Sequence, residues 1–366
     1  MTVVQLLQFL LNATLTTVLF TLFLHYALPI FSKAIDSLPG YKAERIGICK
    51  EGNWCVGEGA LRFLISKADP DMLFIEQNED DIDSKPLFEI PPHAFFDKCD
   101  YIMPMTHGAI GEDGKLQGFF ETLNIPVIGC GTLASAVCFD KNYLKTLLEG
   151  HGFKVAPGGV INMETTPVTQ DLYNEFVEIV GGEKFAIKPN DNGSGIGVSI
   201  ARNFEEFKDG VEKAAQFTRS VLVEKFIPHK EIVVGVIGNG NDIEISHLGE
   251  SNAEVDNVYE YEAKYNENTF CQCPADIDEL MEKKILQQTA DIYQLVGCKD
   301  WARIDFFIEN ETNKLYMNEI NTIPGFSPHS VFPKIFESKG IGYQDLVRKI
   351  IESAIKAEEQ SQAAAD

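Results

Sequence analysis

Basic side chains are scarce in this chain: 31 Lys and Arg stand against 55 Asp and Glu, a formal charge of -24. A field of that sign repels nucleic acid and anionic membrane surfaces over most of the molecule, so an anionic substrate would need local cations. Paired cysteine spacings are missing too. The eight cysteines (Cys49, Cys55, Cys99, Cys130, Cys138, Cys271, Cys273, Cys298) are scattered through apolar or mixed surroundings. Only Cys271 and Cys273 are close, and one intervening residue is a poor spacing for a tetrahedral metal. Free thiols in a reducing compartment fit that pattern. No internal repeat is visible.

Formal charge is absent altogether from Val3 to Phe31, a stretch dense in Leu, Phe, Val and Thr. It is long enough to cross a hydrocarbon core of ~30 Å, and it predicts a hydrophobic N-terminal helix acting as a membrane anchor. A cleaved secretory signal fits less well, because no Lys or Arg precedes the run and no small-residue cleavage site follows it. A core helix or a misplaced start would also account for the run. The first positive charges, Lys33, Lys42 and Arg45, follow it and would keep the catalytic body in the cytoplasm. The sequon Asn12-Ala13-Thr14 inside the run reads as chance.

What is present is core material. The chain has 366 residues, 45% hydrophobic and 23% charged, enough for two or three cored units. Beyond Leu38-Pro39-Gly40, short apolar runs alternate with amphipathic stretches, as in an α/β protein. Arg45–Cys49 predicts a first buried strand, Gly59–Lys67 a helix, and Met72–Glu76 and Tyr101–Met105 further strands, together a small parallel-sheet unit. Asp140–Gly150 has helical spacing, and Phe185–Lys188 and Val198–Ala201 are strands flanking a Gly-rich turn. Val221–Glu224, Glu231–Ile237, Ile243–His247, Ala302–Ile308 and Lys314–Glu319 make a strand-rich C-terminal part, with helices near Ile277–Val296 and Tyr343–Ala357. The tail Glu358–Asp366 reads as disordered.

Two clusters carry chemistry. The segment from Lys188 through Gly193, Ser194, Gly195 and Gly197 sets three glycines after a lysine at a strand end, where backbone amides can close on phosphate oxygens. It is neither a Walker A loop nor a dinucleotide fingerprint, since no Gly-Lys-Ser/Thr follows and a strand, not a helix, comes next. A plain Gly-rich turn is the competing reading. The second cluster pairs Arg303 and Asp305 on one face of a strand, and Glu319 and Asn321 on one face of another. Their hard oxygens suit Mg²⁺, which substrate phosphates and water would complete. A solvated strand face competes with that reading, but both strands are otherwise strongly apolar.

With these residues in view, the chain resembles the D-alanine–D-alanine ligase family. The resemblance rests on His107-Gly-Ala-Ile-Gly-Glu112-Asp113-Gly, Gly129-Cys-Gly131, Asp140-Lys141, Glu262-Ala-Lys264-Tyr265, Asn318-Glu-Ile-Asn321-Thr-Ile-Pro-Gly325 and Ser327-Pro-His-Ser330, all in the family's order between about Arg45 and Ile351. It implies a three-part ATP-grasp fold: residues 45–129 as the N-terminal parallel-sheet substrate domain, 130–224 as the central ATP-grasp domain and 225–357 as the C-terminal catalytic domain. Residues 1–44 would then be an extension.

For ATP, the resemblance implies phosphate contacts from Lys141, Lys188, Gly193, Gly195 and Lys264, and an adenine and ribose pocket from Glu224, Lys225, Ile227 and Glu231. Asp305, Glu319 and Asn321 would hold two Mg²⁺ ions, for which Mn²⁺ can substitute. Lys264 and Ser330 would hold the second substrate's carboxylate, Tyr265 with Ser194 would tie an active-site loop shut, and His107 would lie beside the first substrate. The stretch Glu254–Phe270 would be the lid. In the family's mechanism the first amino acid's carboxylate attacks the γ-phosphate, and the resulting acyl phosphate is attacked by the second amino acid's amine. Arg303 and the backbone amide of Gly325 would face the oxyanion. The product dipeptide belongs to peptidoglycan and cell-wall synthesis, and homodimers are common among relatives.

One departure stands out. The family opens with a strand, a Gly-Gly turn and an acid that grips the first substrate's ammonium group. Here the Arg45 strand runs into Cys49-Lys-Glu-Gly-Asn-Trp-Cys-Val-Gly-Glu58, without that turn. Glu58 or Glu51 could supply the carboxylate after a shift in register, and Trp54 would reshape the pocket. Three readings stay open: a ligase of two D-alanines, a ligase of other amino or hydroxy acids by the same mechanism, and a membrane-tethered ATP-binding protein without chemistry.

Overall fold

The computed structural model describes residues 2–9, 30–48, 54–56, 99–193, 195–251 and 271–365. The N-terminal apolar stretch does not open as the expected hydrophobic helix: Thr2–Phe9 is a strand, β1. Helix α1 covers 30–36, and β2 is Tyr41–Ile48. Strand β1 lies between β2 and β4 (Tyr101–Pro104), parallel to both, and the short β3 (Trp54–Val56) pairs antiparallel outside β2. Strands inside parallel sheets read as near-continuous apolar runs, which periodicity alone does not separate from an apolar helix. Among the described residues no helix is long and apolar enough to cross a membrane.

The run at Arg45 is therefore the end of the second strand in sequence. Phe31, Ala34 and Ile35 of α1 are buried in the main core with Trp301 and Phe326, so residues before 45 belong to the folded body. The helix expected at Gly59–Lys67 and the strand at Met72–Glu76 lie outside the described residues.

Helices α2 (Lys115–Thr122), α3 (Thr132–Phe139) and α4 (Lys141–Gly150) lead to a second, antiparallel sheet. Its strands β5 (Gly158–Asn162), β6 (Phe185–Pro189), β7 (Ser199–Ala201) and β8 (Ser220–Lys225) run in the order β5-β8-β6-β7. Helices α5 (Gln170–Val180) and α6 (Phe204–Ala214) share its core, where Tyr173, Phe185 and Phe207 meet edge to face. Thr169 and Asn203 cap the two helices by accepting from Leu172 N and Glu206 N, which satisfies amides that have no partner within the helix.

The third sheet is antiparallel, in the order β11-β10-β9-β12-β13, from β9 (His229–Asn239), β10 (Asp242–Ser251), β11 (Cys271–Gln272), β12 (Asp300–Glu309) and β13 (Leu315–Asn321). Along β9 and β12 alternate residues face opposite sides of the sheet. Ile232, Val234, Val236, Ala302, Ile304 and Phe306 enter the core shared with α3, α4 and α7 (Glu279–Val296). Val233, Ile237 and Trp301 pack on the other side against α8 (Val331–Glu337) and α9 (Tyr343–Ala365).

The tail expected to be disordered continues α9 to Ala365. Its Ala, Glu and Gln are strong helix formers, and no Gly or Pro interrupts them. Close packing of α8 depends on Gly235, where a Cβ would come 2.5 Å from the Phe336 ring and 3.1 Å from Phe332. Gly235→Ala is expected to cost about 1–3 kcal/mol by overpacking, read as a lower urea midpoint at unchanged slope.

Candidate functional site

On the α8-facing side of the third sheet the apolar residues stop after Trp301, and Arg303, Asp305 and Phe307 continue the same face of β12. Strand β13 joins this face through an irregularity. Ile308, Phe307 and Phe306 pair with Leu315, Tyr316 and Met317, and then Asp305 pairs with Glu319, leaving Asn318 as an extra residue. Such a bulge shifts the alternation by one residue. Without it Glu319 would oppose Ile304 and face the apolar core; with it, Glu319 and Asn321 stand opposite Asp305 and Arg303.

The side chains at this point are tightly coupled. Arg303 forks onto Asp305, Nε to Oδ1 at 2.8 Å and Nη2 to Oδ2 at 2.7 Å, and Asn321 Nδ2 donates to Asp305 Oδ2 at 3.1 Å. Asp305 is 1% exposed. Burial pushes its carboxyl up to about 6; the Arg303 charge and hydrogen bonds oppose this, while Glu319 and Glu231 add to it. For Arg303 burial works against the charged form, but Asp305, Glu319 and Glu231 outweigh it and hold the guanidinium above its ordinary range.

A second, cationic cluster lies between α4 and the second sheet. Asp140 caps α4 by accepting from Tyr143 N at 3.0 Å. The start of that helix is tied to the Gly-rich turn: Lys141 N donates to Asn190 O at 3.2 Å, Asn142 N to Asn190 Oδ1 at 2.9 Å, and Lys141 Nζ to Asn192 O at 2.5 Å. Gly193 N donates to Asn192 Oδ1 at 2.9 Å, and Gly195 has φ +73°, a conformation open to glycine. Lys188 on β6 reaches Glu224 Oε2 on β8 at 2.6 Å, and Lys145 on α4 pairs with Glu224 Oε1. Burial and the charges of Lys188 and Lys141 hold the Lys145 ammonium well below its usual range, while Glu319 pulls the other way.

The sheet edge beside these clusters is apolar and aromatic. Ile227 is buried with Ala156 and Tyr316, Phe307 packs on them, and the His229 ring stacks on Phe307 at 3.5 Å between centroids. Burial lowers the His229 pKa, partly offset by its hydrogen bond to Ile227 O. Glu231, buried, pairs with Phe307 in the ladder, and Lys225 N donates to Pro157 O at 2.8 Å.

The structure thus brings together Arg303, Asp305, Glu319 and Asn321 with Glu231, and separately Lys141, Lys188 and Glu224. Gly325 and Ser330 are neighbours: Ser330 Oγ accepts from Ser327 N at 3.0 Å, and a Cβ on Gly325 would lie 3.3 Å from it. His107 stands in a separate turn, 3.7 Å from Glu112, whose carboxylate accepts from Gly108 N. Ser194, Lys264, Tyr265, Glu58, Glu51 and the expected lid lie outside the described residues, and of Trp54 only the backbone is described.

Because β1 precedes the strand at Arg45, the turn Cys49–Glu58 follows the second strand. The departure noted at residues 49–58 thus comes after the second strand and not the first, and Glu51 and Glu58 themselves lie outside the described residues. Lys145 was missed by sequence reasoning. Its signal is the i, i+4 spacing from Lys141, which sets both lysines on one side of α4 with the buried Leu144 and Leu148.

Two family models match the chain: D-ala D-ala ligase N-terminus over residues 30–130 and D-ala D-ala ligase C-terminus over residues 147–352. The chain is 37% identical over 317 residues to D-alanine–D-alanine ligase B of Clostridium tetani, covering 86% of this chain and 85% of that one. It is 35% identical to the D-alanine–D-alanine ligase of Clostridium novyi, covering 88% and 91%. Among solved structures it resembles the D-alanine-D-alanine ligase from Coxiella burnetii, with a TM-score of 0.74 and 26% identity over 99% of this chain and 98% of that one.

Proposed function

Because the chain belongs to the D-alanine–D-alanine ligase family, we infer that it is an ATP-dependent carboxylate–amine ligase that joins two D-alanines through an acyl phosphate. The observation that carries this reading is the pairing of two clusters: two lysines on a single buried acid with Lys141 on the same helix side, and a carboxylate-rich strand face beside an aromatic sheet edge. A nucleotide with its base toward Ile227 and Phe307 and its phosphates toward Lys141 and Lys188 would meet charges of the right sign at each end.

The family uses ATP and Mg²⁺. The residues present fit a divalent cation: Asp305, Glu319 and Asn321 offer hard oxygens, and the desolvated Asp305 carboxyl, raised to about 6 with Glu319 and Glu231 beside it, calls for positive charge. When bound, Mg²⁺ would neutralise charge on the phosphoryl group; two ions, and replacement by Mn²⁺, belong to the proposal. In the proposed roles Lys141 and Lys188 bind phosphate oxygens, with Gly193 and Gly195 closing over them. Glu224, Lys225, Ile227 and Glu231 line the nucleoside. Arg303 and the Gly325 amide donate to the tetrahedral oxyanion, Ser330 and Lys264 hold the second substrate's carboxylate, Ser194 and Tyr265 fasten the lid, and His107 adjoins the first substrate. The assignment of residues 45–129, 130–224 and 225–357 to substrate, ATP-grasp and catalytic domains, a homodimeric assembly and a cytoplasmic location near the ATP supply are parts of the same reading.

The test is ATP-dependent phosphate release by the full chain, with mass analysis of the products. D-alanine is expected to give phosphate and a D-alanyl-D-alanine mass. Release with other amino or hydroxy acids but not with D-alanine would replace the substrate, and no release with any acid would refute the ligase reading.

A further inference from the structure

Glu224 is 3% exposed and holds two cations, one on each oxygen: Lys145 on Oε1 and Lys188 on Oε2 at 2.6 Å. The two lysines are not equivalent. The Lys145 side chain is 8% exposed and enclosed on α4, whereas that of Lys188 is 15% exposed, at the end of β6 beside the Gly-rich turn. Lys141, one turn before Lys145 on α4, gives one of its three donors to the Asn192 carbonyl of that turn. An incoming triphosphate would draw on Lys188 beside Lys141, and in moving onto a phosphate Lys188 gives up its close contact with Glu224. That departure strands a buried carboxylate unless another cation stays behind, and an uncompensated buried charge is costly.

We propose that Lys145 is a positioning residue for nucleotide binding: by neutralising Glu224 from the fixed helix, it releases Lys188 to the phosphates. The inference rests on the ATP-binding reading above and adds a residue that does not itself touch the nucleotide. One further observation agrees with it. The three lysines and one acid leave the cluster with excess positive charge that a polyanion would balance.

The experiment is calorimetric titration of ATP with Mg²⁺ into the full chain, with KM and kcat measured alongside. Lys145→Met is expected to weaken ATP binding about tenfold or more, in KM rather than kcat, because Lys188 now stays on Glu224. Lys145→Arg should bind close to wild type. The decisive comparison is Lys145→Met in a Glu224→Gln background: Glu224 lines the nucleoside, so Glu224→Gln carries a loss of its own, but with no carboxylate left to strand, adding Lys145→Met should weaken binding little further. A purely structural Lys145 would instead make the two losses add. Should the Met variant fail to fold, Lys145→Gln, which keeps a hydrogen bond to Glu224 without the charge, carries the same expectation. A wild-type chain that binds no ATP overturns the underlying reading. Wild-type binding with an unaffected Lys145→Met, or with a double variant about tenfold weaker than Glu224→Gln alone, overturns this inference alone.

Discussion

Arg303→Met is expected to lower turnover by about 10²–10³-fold while ATP still binds. Its guanidinium is held on the site face of β12 by a two-bond fork to Asp305, itself almost fully buried. A donor fixed in that way needs no reorganisation when a tetrahedral oxyanion forms in front of it, and that fixity is where a preorganised charge differs from a mobile one. Removing it also leaves the Asp305 carboxylate without its cation, so a fall in stability of about 3–5 kcal/mol would accompany the kinetic loss. Two measurements separate the effects: kcat at a temperature well below the variant's thermal midpoint, and ATP affinity by titration. Arg303→Lys keeps a charge but not the fork, and should recover stability more than turnover. Full turnover in a folded Arg303→Met protein would remove the residue from the chemistry.

Trp301→Ala is expected to destabilise the protein by about 3–5 kcal/mol, a structural effect at the upper end for a single substitution. Its indole is fully buried and meets Phe326 at 5.1 Å and Phe332 at 5.7 Å edge to face, while Phe326 in turn meets Phe31 at 5.0 Å. That aromatic chain fastens α1 and α8 to the third sheet. The neighbouring Asp300 adds a polar fastening, accepting from Gly129 N at 2.7 Å and from Asn239 Nδ2 at 2.8 Å. A cavity of indole size at this junction is poorly filled by relaxation, because its walls come from several different elements. Urea unfolding checks the magnitude, and Trp301→Phe, which keeps a ring, should lose clearly less. A loss below about 1 kcal/mol for the alanine variant would mean that the junction repacks.

Much of the site was legible from parity and spacing. Arg303 with Asp305, and Glu319 with Asn321, are two residues apart, so each pair shares a strand face whatever the fold. Lys188 before a glycine-rich turn was legible for the same local reason. Lys145 was not, because a lysine flanked by Leu144 and Leu148 on an amphipathic helix reads as a snorkelling side chain until Glu224, 79 residues away, is brought to it. The N-terminal strand was misread because a long uncharged, mostly apolar run carries no clear period to distinguish strand from helix, and its pairing with β4 spans 97 residues. Ser194, Lys264 and Tyr265 rest on family resemblance alone.

The extra residue in β13 makes the site a matter of counting. Asn318 Oδ1 is buried with no hydrogen-bond partner among the described residues, so that acceptor does not tie the amide in place. The way Asn318 is left out of the ladder, and not its side chain, decides which way the strand faces beyond it. Draw Asn318 into the ladder opposite Asp305 and the phase of everything downstream inverts: the Glu319 carboxylate and the Asn321 amide would turn toward Ile304 and its apolar neighbours, and hydrophobic side chains would turn toward Arg303. The reading frame of the ladder, more than the identity of any one letter in it, keeps the acids on the side where the chemistry is.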